Sequence, residues 1–282
     1  MNNLKSDTSM GCIESELTDR QQRELDYHRE HAMLHRTLLD REFSWDVLVR
    51  PERRWWNAYW AMYAHLCSCD LAGKSVLVVG CGFGDNALRL TKLGARVSAF
   101  DLSPDSLQIA RALAQREDLQ ISLEEMPAER MHYGDSSFDF VVARDILHHV
   151  DVEATMREIV RVTKPGGIFV ANEIYSHSLT NRIRNSWLVE QIVYPRMRRF
   201  IYGVGKPYIT DDERKLTEKD LDIIFASLQR VRFRKYFNFF VTRVIPARVV
   251  SLAKMDRCLL AMTGPLGRLF AGRVLFSAKV SK

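Results

Sequence analysis

Two groups of residues in this 282-residue chain could do chemistry. His148 and His149 stand side by side just past an apolar run, where an imidazole with a pKa near neutrality can accept a hydroxyl proton. Glu24, Tyr27, His28 and His31 recur at helical offsets that put all four on one face. Tyr27 and His28 are the preferred members of that second group, with Asp145, Glu173 and Tyr175 as weaker alternatives. The candidate catalytic set is therefore His148, His149, Tyr27 and His28. Asp145, Asp151 and Glu173 could be drawn together on paper, but their neighbours do not specify the oxygen cage a divalent ion needs, and no metal site is expected.

These groups need a scaffold, and the middle of the chain supplies one. Val76–Val79, Val97–Phe100, Ile121–Leu123, Phe138–Val142 and Ile168–Ala171 read as strands. Helical patterns at Asp85–Leu93, Pro104–Arg116 and Val152–Val162 separate them, so a parallel sheet covered on both faces is expected. Right-handed crossovers then gather the loops after the strands along one sheet edge, where ligands bind. Leu216–Leu228 reads as a helix, Arg230–Thr242 as an extended run and Arg273–Val280 as a last strand, the two extended runs forming an antiparallel edge. Ser251–Phe270 is helical, interrupted at Gly264-Pro265. Residues 1–19 read as a tail and 20–282 as a single domain. Within it, 20–66 form a helical cap in which Pro51 opens a helix, and 176–215 form a substrate-side insertion.

At the first sheet edge, Gly80, Gly82 and Gly84 allow a tight turn and close backbone approach to a ligand. The helix opening at Asp85 points free N–H groups and its positive end toward that turn. Asp101 ends the next strand 21 residues after Gly80, a spacing that suits a carboxylate bonding a ribose diol. A dinucleotide fingerprint would have a small residue where Asp85 stands, and an aspartate would face a pyrophosphate unfavourably.

VLVVGCGFGDNALRLTKLGARVSAFDLSPDSLQIARA (residues 76–112), AERMHYGDSSFDFVVARDILHHV (128–150) and VTKPGGIFVANE (162–173) together resemble the class I S-adenosylmethionine-dependent methyltransferases, in the small-molecule branch. The resemblance implies a Rossmann-like α/β fold: a seven-stranded, mostly parallel sheet with an antiparallel edge, helices on both faces, an N-terminal helical lid and a helical insertion after strand five. It implies S-adenosyl-L-methionine as cofactor, with Gly80, Cys81, Gly82 and Gly84 receiving the methionine portion, Asp101 the ribose and Leu102 beside the adenine. Ala128 and Glu129 are the local matches to the family's adenine contact, because Pro127 stands where an aspartate often precedes alanine. Arg144 falls where the methionine end meets the acceptor. Methyl transfer from a sulfonium is an in-line displacement that needs alignment and, for some acceptors, a base.

Net charge is +6, yet residues 182–248 hold 15 Lys/Arg against 7 Asp/Glu. Trp187, Val189, Ile192, Val193, Tyr194 and Phe200 beside Arg196, Arg198 and Arg199 read as an apolar wall with a basic rim capping the acceptor pocket. Tyr236, Phe237, Phe239 and Phe240 could extend that surface. The expected partner is a small, partly apolar molecule carrying an acidic group, taking the methyl on oxygen. The alternatives are a quinone- or lipid-directed enzyme in peripheral membrane contact and an RNA or protein methyltransferase; nothing resembles a dedicated RNA-binding motif, so nucleic acid is not favoured. A silent cofactor-binding protein is the non-enzymatic alternative. Five cysteines with no zinc framework, no apolar leader and no membrane-length apolar run lead to the expectation of a cytoplasmic protein, monomer or homodimer.

Overall fold

The computed structural model describes residues 17–193, 195–196, 214–238 and 250–280. Seven strands make one sheet: β1 (Ser75–Val79), β2 (Arg96–Asp101), β3 (Ser122–Glu125), β4 (Phe138–Arg144), β5 (Thr163–Ile174), β6 (Leu228–Phe237) and β7 (Arg273–Val280). Their order is β3-β2-β1-β4-β5-β7-β6. The first five are mutually parallel, and β7 lies antiparallel to both β5 and β6. The order reverses between β1 and β4, which opens a crevice beyond the carboxyl ends of those strands.

Strand side chains alternate between faces, and each face is sealed by helices. Leu77, Val141 and Phe169 pack with Met156 and Ile159 of α5 (Val152–Val162) and with Leu221 and Ile224 of α7 (Glu218–Ala226). Val76, Val78 and Val142 pack on the other face with Trp60, Tyr63 and Leu66 of α2 (Ala58–Leu66) and with Ala87 and Leu90 of α3 (Asp85–Lys92). The continuous apolar run of β1 thus feeds two cores at once.

Helix starts follow local capping chemistry. The Ser103 hydroxyl accepts the Ser106 N–H ahead of α4 (Pro104–Arg116), and Asp151 accepts the Ala154 N–H ahead of α5. A reciprocal capping box between Thr18 and Gln21 opens α1 (Asp19–His35). Pro51 does not begin a long helix: it opens only the 3₁₀ turn Pro51–Arg53, and α2 starts at Ala58 because Asn57 accepts the Trp60 N–H at 3.0 Å. Trp55 therefore precedes the helix that carries Tyr59 and Met62. The chain beyond β5 forms α6 (Ser178–Arg184) and a π-helical turn at Val189–Val193, while Tyr194, Arg198, Arg199, Phe200, Phe239 and Phe240 lie outside the described residues. Helix α8 (Val250–Met262) and a 3₁₀ turn at Gly264–Leu266 follow β6.

β6 is an outer strand, and its Arg230, Arg232, Arg234 and Lys235 are exposed. Charge on an edge strand opposes pairing with another chain, which accounts for part of the basic excess seen in the sequence.

Candidate active site

A cavity of about 380 Å³ occupies the crevice. Its floor is the β1–α3 turn. Gly80, Gly82 and Gly84 have φ of +61°, +52° and +87°, a region that side-chain-bearing residues rarely enter. A Cβ on Gly80 would stand 2.5 Å from Ile146 Cγ1, whereas one on Gly82 would meet nothing within 4 Å. Gly80 thus keys the turn against the loop after β4, and Gly82 faces open space.

Asp101, at the end of β2, holds this turn. Its Oδ2 accepts the Gly82 N–H at 2.7 Å and its Oδ1 accepts the Ser103 N–H at 3.0 Å. Leu102 and Ala128 line the cavity beside it. Cys81 contributes backbone only, since its thiol is buried and pushed well above the ordinary thiol range by desolvation, with the Asp101 charge adding to the effect. Glu129 also lines the cavity, but its carboxylate is engaged: one oxygen accepts the Asp151 N–H at 3.1 Å and the other the Gln21 side-chain amide at 3.0 Å.

The opposite wall is the β4–α5 loop. His148 is only 1% exposed. Its Nδ1 sits 2.9 Å from Glu173 Oε2, and Glu173 Oε1 accepts the N–H groups of Ile146 and Leu147 at 3.0 and 3.1 Å. A fully buried carboxylate at the end of β5 therefore organises the whole loop. His149 faces the cavity with Nδ1 3.1 Å from Glu24 Oε2 of α1, and Glu24 Oε2 is also 3.8 Å from His28 Nε2.

Helix α1 closes the top. Beyond Glu24, Arg20 donates to the His148 carbonyl at 3.4 Å, and the His31 ring stacks on Phe83 with centroids 5.3 Å apart. Burial, then the neighbouring His35 and His28, depress the His31 pKa to about 4. Tyr27 does not reach the cavity wall; its ring lies parallel to that of His31. Glu24, not Tyr27, is the member of the helical group that joins the lid to the β4 loop, and its place between two imidazoles depends on a tertiary contact invisible to helical spacing.

Arg144 and Asp145 separate this cavity from a second one of about 400 Å³. Asp145 takes a φ of +56° and binds Arg273 of β7, with Arg144 Nε 3.7 Å away. Burial raises the Asp145 pKa, but Arg273 and Arg144 outweigh it and hold the carboxyl below its ordinary range. Arg144 lies over the Tyr59 ring at 4.9 Å. Tyr175 is fully buried against Tyr236 and does not line the cavity. The described residues of the insertion line neither cavity, and Leu179, Ile183, Trp187 and Leu188 face outward, Trp187 with 71% of its surface exposed.

Residues 77–171 match the family model described as "Methyltransferase domain". The ubiquinone biosynthesis O-methyltransferase of Xanthomonas oryzae pv. oryzae (strain PXO99A) is 39% identical over 104 residues, 35% of this chain and 42% of that protein. The ubiquinone/menaquinone biosynthesis C-methyltransferase UbiE of Nitrobacter hamburgensis is 33% identical over 140 residues, 48% of this chain and 55% of that one. The chain thus spans about half or less of the length of these relatives. Among solved structures, geranyl diphosphate methyltransferase in complex with GPP and sinefungin superposes with TM-score 0.52 at 12% identity, covering 79% and 76% of the two chains. The [4+2]-cyclase SpnF superposes with TM-score 0.51 at 21% identity, covering 74% and 75%. Both likenesses establish the fold.

Proposed function

Because the chain carries a class I methyltransferase domain, we propose that it binds S-adenosyl-L-methionine in the crevice and methylates a small, partly apolar acceptor on oxygen, without a metal. The observation that carries the reading is the turn at Gly82: open space faces its Cα while its N–H is pinned to Asp101. That combination is a cradle shaped for a ligand rather than for packing. Gly80, Cys81, Gly82 and Gly84 would receive the methionine portion, Asp101 the ribose, Leu102, Ala128 and Glu129 the adenine end, and Arg144 the side facing the acceptor. The cofactor supplies, when bound, a methyl group already activated by a sulfonium.

The protein then has to align the acceptor, exclude water and take a proton. His149 is the residue best placed to accept it: it lines the cavity, and the Glu24 carboxylate at Nδ1 orients the ring. His28 backs Glu24 from the lid. His148 serves as a positioning residue, its ring held by Glu173. Tyr27 shapes the lid through His31.

Calorimetry with S-adenosylmethionine and with NAD tests the cofactor; preference for NAD refutes the assignment. Turnover of labelled S-adenosylmethionine across a metabolite pool, followed by mass identification of the product, tests the transfer. His149→Gln should lower kcat at least tenfold with little change in cofactor affinity, and unaltered turnover would remove the base role.

A second reading is favoured by one specific observation. Leu179, Ile183, Trp187 and Leu188 are exposed apolar side chains that alternate along the chain with exposed Arg182 and Arg184, a composition suited to an anionic membrane surface and hence to a lipid-like acceptor. Co-sedimentation with anionic vesicles, lost in Trp187→Ser, supports it, and no sedimentation of the unaltered chain rejects it.

A further inference from the structure

β6 and β7 are antiparallel neighbours paired up to Phe237 opposite Arg273. Two residues suffice to join such a pair, yet residues 238–272 lie between them. Here the connection includes α8, which lays Ala253, Asp256 and Arg257 along the second cavity, opposite the Trp56–Tyr59 segment of the N-terminal cap. The cavity shares Arg144, Asp145 and Arg273 with the cofactor crevice, so the two spaces adjoin through that wall.

The lining has a definite chemistry. Trp56, Tyr59 and Phe237 give it aromatic sides. Three arginines and two aspartates leave one formal positive charge in excess. Arg144 and Arg273 are both drawn to Asp145. Arg257 has a different environment: it donates to the Trp55 carbonyl and lies 5.5 Å over the Phe237 ring, and no carboxylate of the described residues is within ion-pair distance of it. Desolvation acts on its charge without a compensating anion. A guanidinium fixed at one nitrogen, flanked by an aromatic ring and facing a 400 Å³ cavity retains donors for a planar anion.

We propose that this second cavity is the acceptor pocket and that it selects acidic aromatic molecules, with Arg257 binding their carboxylate while the reacting end points across the Arg144–Asp145 wall toward the cofactor crevice. The inference rests on the methyl-transfer reading above. Specificity is then set by the β6–β7 connection and the N-terminal cap, elements outside the 77–171 segment that matches the family model.

Paired probes on the full chain test it: hydroxybenzoates and the matching hydroxybenzamides, titrated by calorimetry in the presence of saturating S-adenosylhomocysteine. The acids should bind at least tenfold more tightly than the amides. Arg257→Met, which keeps an apolar stem, should abolish that preference, while Arg257→Lys should retain a measurable part of it. S-adenosylhomocysteine affinity should be the same in all three proteins, which shows that they are folded. Equal binding of acids and amides, no binding of any acid up to millimolar concentration, or a preference that survives Arg257→Met overturns the proposal. Failure of S-adenosylhomocysteine to bind the unaltered chain is a different result: it overturns the underlying cofactor assignment.

Discussion

Gly80→Ala and Gly82→Ala are the same chemical change two residues apart, and the structure separates their consequences. Both positions have positive φ, so each alanine carries a backbone cost of about 1–2 kcal/mol. At position 80 the new methyl would also lie 2.5, 2.6 and 2.9 Å from Ile146 Cγ1, Cδ1 and Cβ. Ile146 cannot retreat freely, because its N–H is donated to Glu173. Overpacking of that kind adds about 1–3 kcal/mol. Gly80→Ala should therefore cost about 2–5 kcal/mol, which for a chain of this size lowers the melting temperature by roughly 3–9 °C. Gly82→Ala meets no atom within 4 Å, so only the backbone cost applies and the melting temperature should fall by roughly 2–4 °C. Its methyl projects into the crevice, and S-adenosylhomocysteine affinity should drop at least tenfold, about 1.4 kcal/mol. Thermal melts and calorimetry on both variants, with Gly80→Ala repeated in an Ile146→Ala background, make the check. The reasoning is refuted if the two variants melt alike, if Ile146→Ala fails to restore part of the loss, or if Gly82→Ala binds normally.

Asp101→Ala should weaken S-adenosylmethionine binding by about 2–4 kcal/mol through loss of charge-assisted hydrogen bonds, and calorimetry showing unchanged affinity would contradict the ribose role. Glu173→Ala leaves the Ile146 and Leu147 N–H groups and His148 without their buried acceptor and should cost about 3–5 kcal/mol by urea unfolding, whereas Glu173→Gln, which keeps a carbonyl for the two N–H groups, should cost less; equal losses would discount the loop-organising role. His31 has a folded pKa near 4 against an ordinary 6.5, so the unfolded chain binds more protons between those values and stability must rise with pH across that window. The ring is partly exposed, so solvent screening holds the effect to about 1 kcal/mol. Melting curves of the unaltered chain and His31→Gln should diverge below pH 6.5 and run parallel above it, and identical pH dependence would disprove the assignment.

The elements legible in the sequence are those whose boundaries are written locally. Ser103-Pro104 and Asp151 carry their own capping acceptors, and the helices they open begin where the residue pattern places them. Arg273–Val280 alternates because one face of β7 is buried differently from the other, and its limits match those read from the sequence. Pro51 misleads because proline suits any helical first turn, and the cap that matters, Asn57, is six residues further on. β5 begins at Thr163 and runs through Pro165-Gly166-Gly167, since a bulge between its pairings to Phe138 and Phe140 absorbs residues that read as a turn. The glycine turn and Asp101 were visible because their chemistry recurs at fixed spacing. Glu173, Arg257 and Asp256 have no such signature; each acquires its position from pairing between elements far apart in the chain.

The cyclase among the structural neighbours shows why the fold alone cannot decide the reaction: the same sheet supports chemistry other than methyl transfer. What distinguishes one such protein from another has to lie where the scaffold varies. In this chain the floor of the crevice is built from the backbone of the glycine turn and the Asp101 carboxylate at a strand end, positions that other sequences with this strand order can supply. The second cavity depends on side chains from the N-terminal cap and the β6–β7 connection. The described basic residues of the 182–248 segment on β6 and α6 divide accordingly. The exposed β6 charges guard an edge and Arg182 and Arg184 border the outward apolar patch, so neither group bears on a ligand in the crevice. The arginines that line the second cavity, 144, 257 and 273, all lie outside that basic segment. On the acceptor-pocket proposal, the charge of the described β6 and α6 residues is therefore a poor guide to the ligand, and the position of a single half-buried guanidinium with no acidic partner among the described residues is a better one.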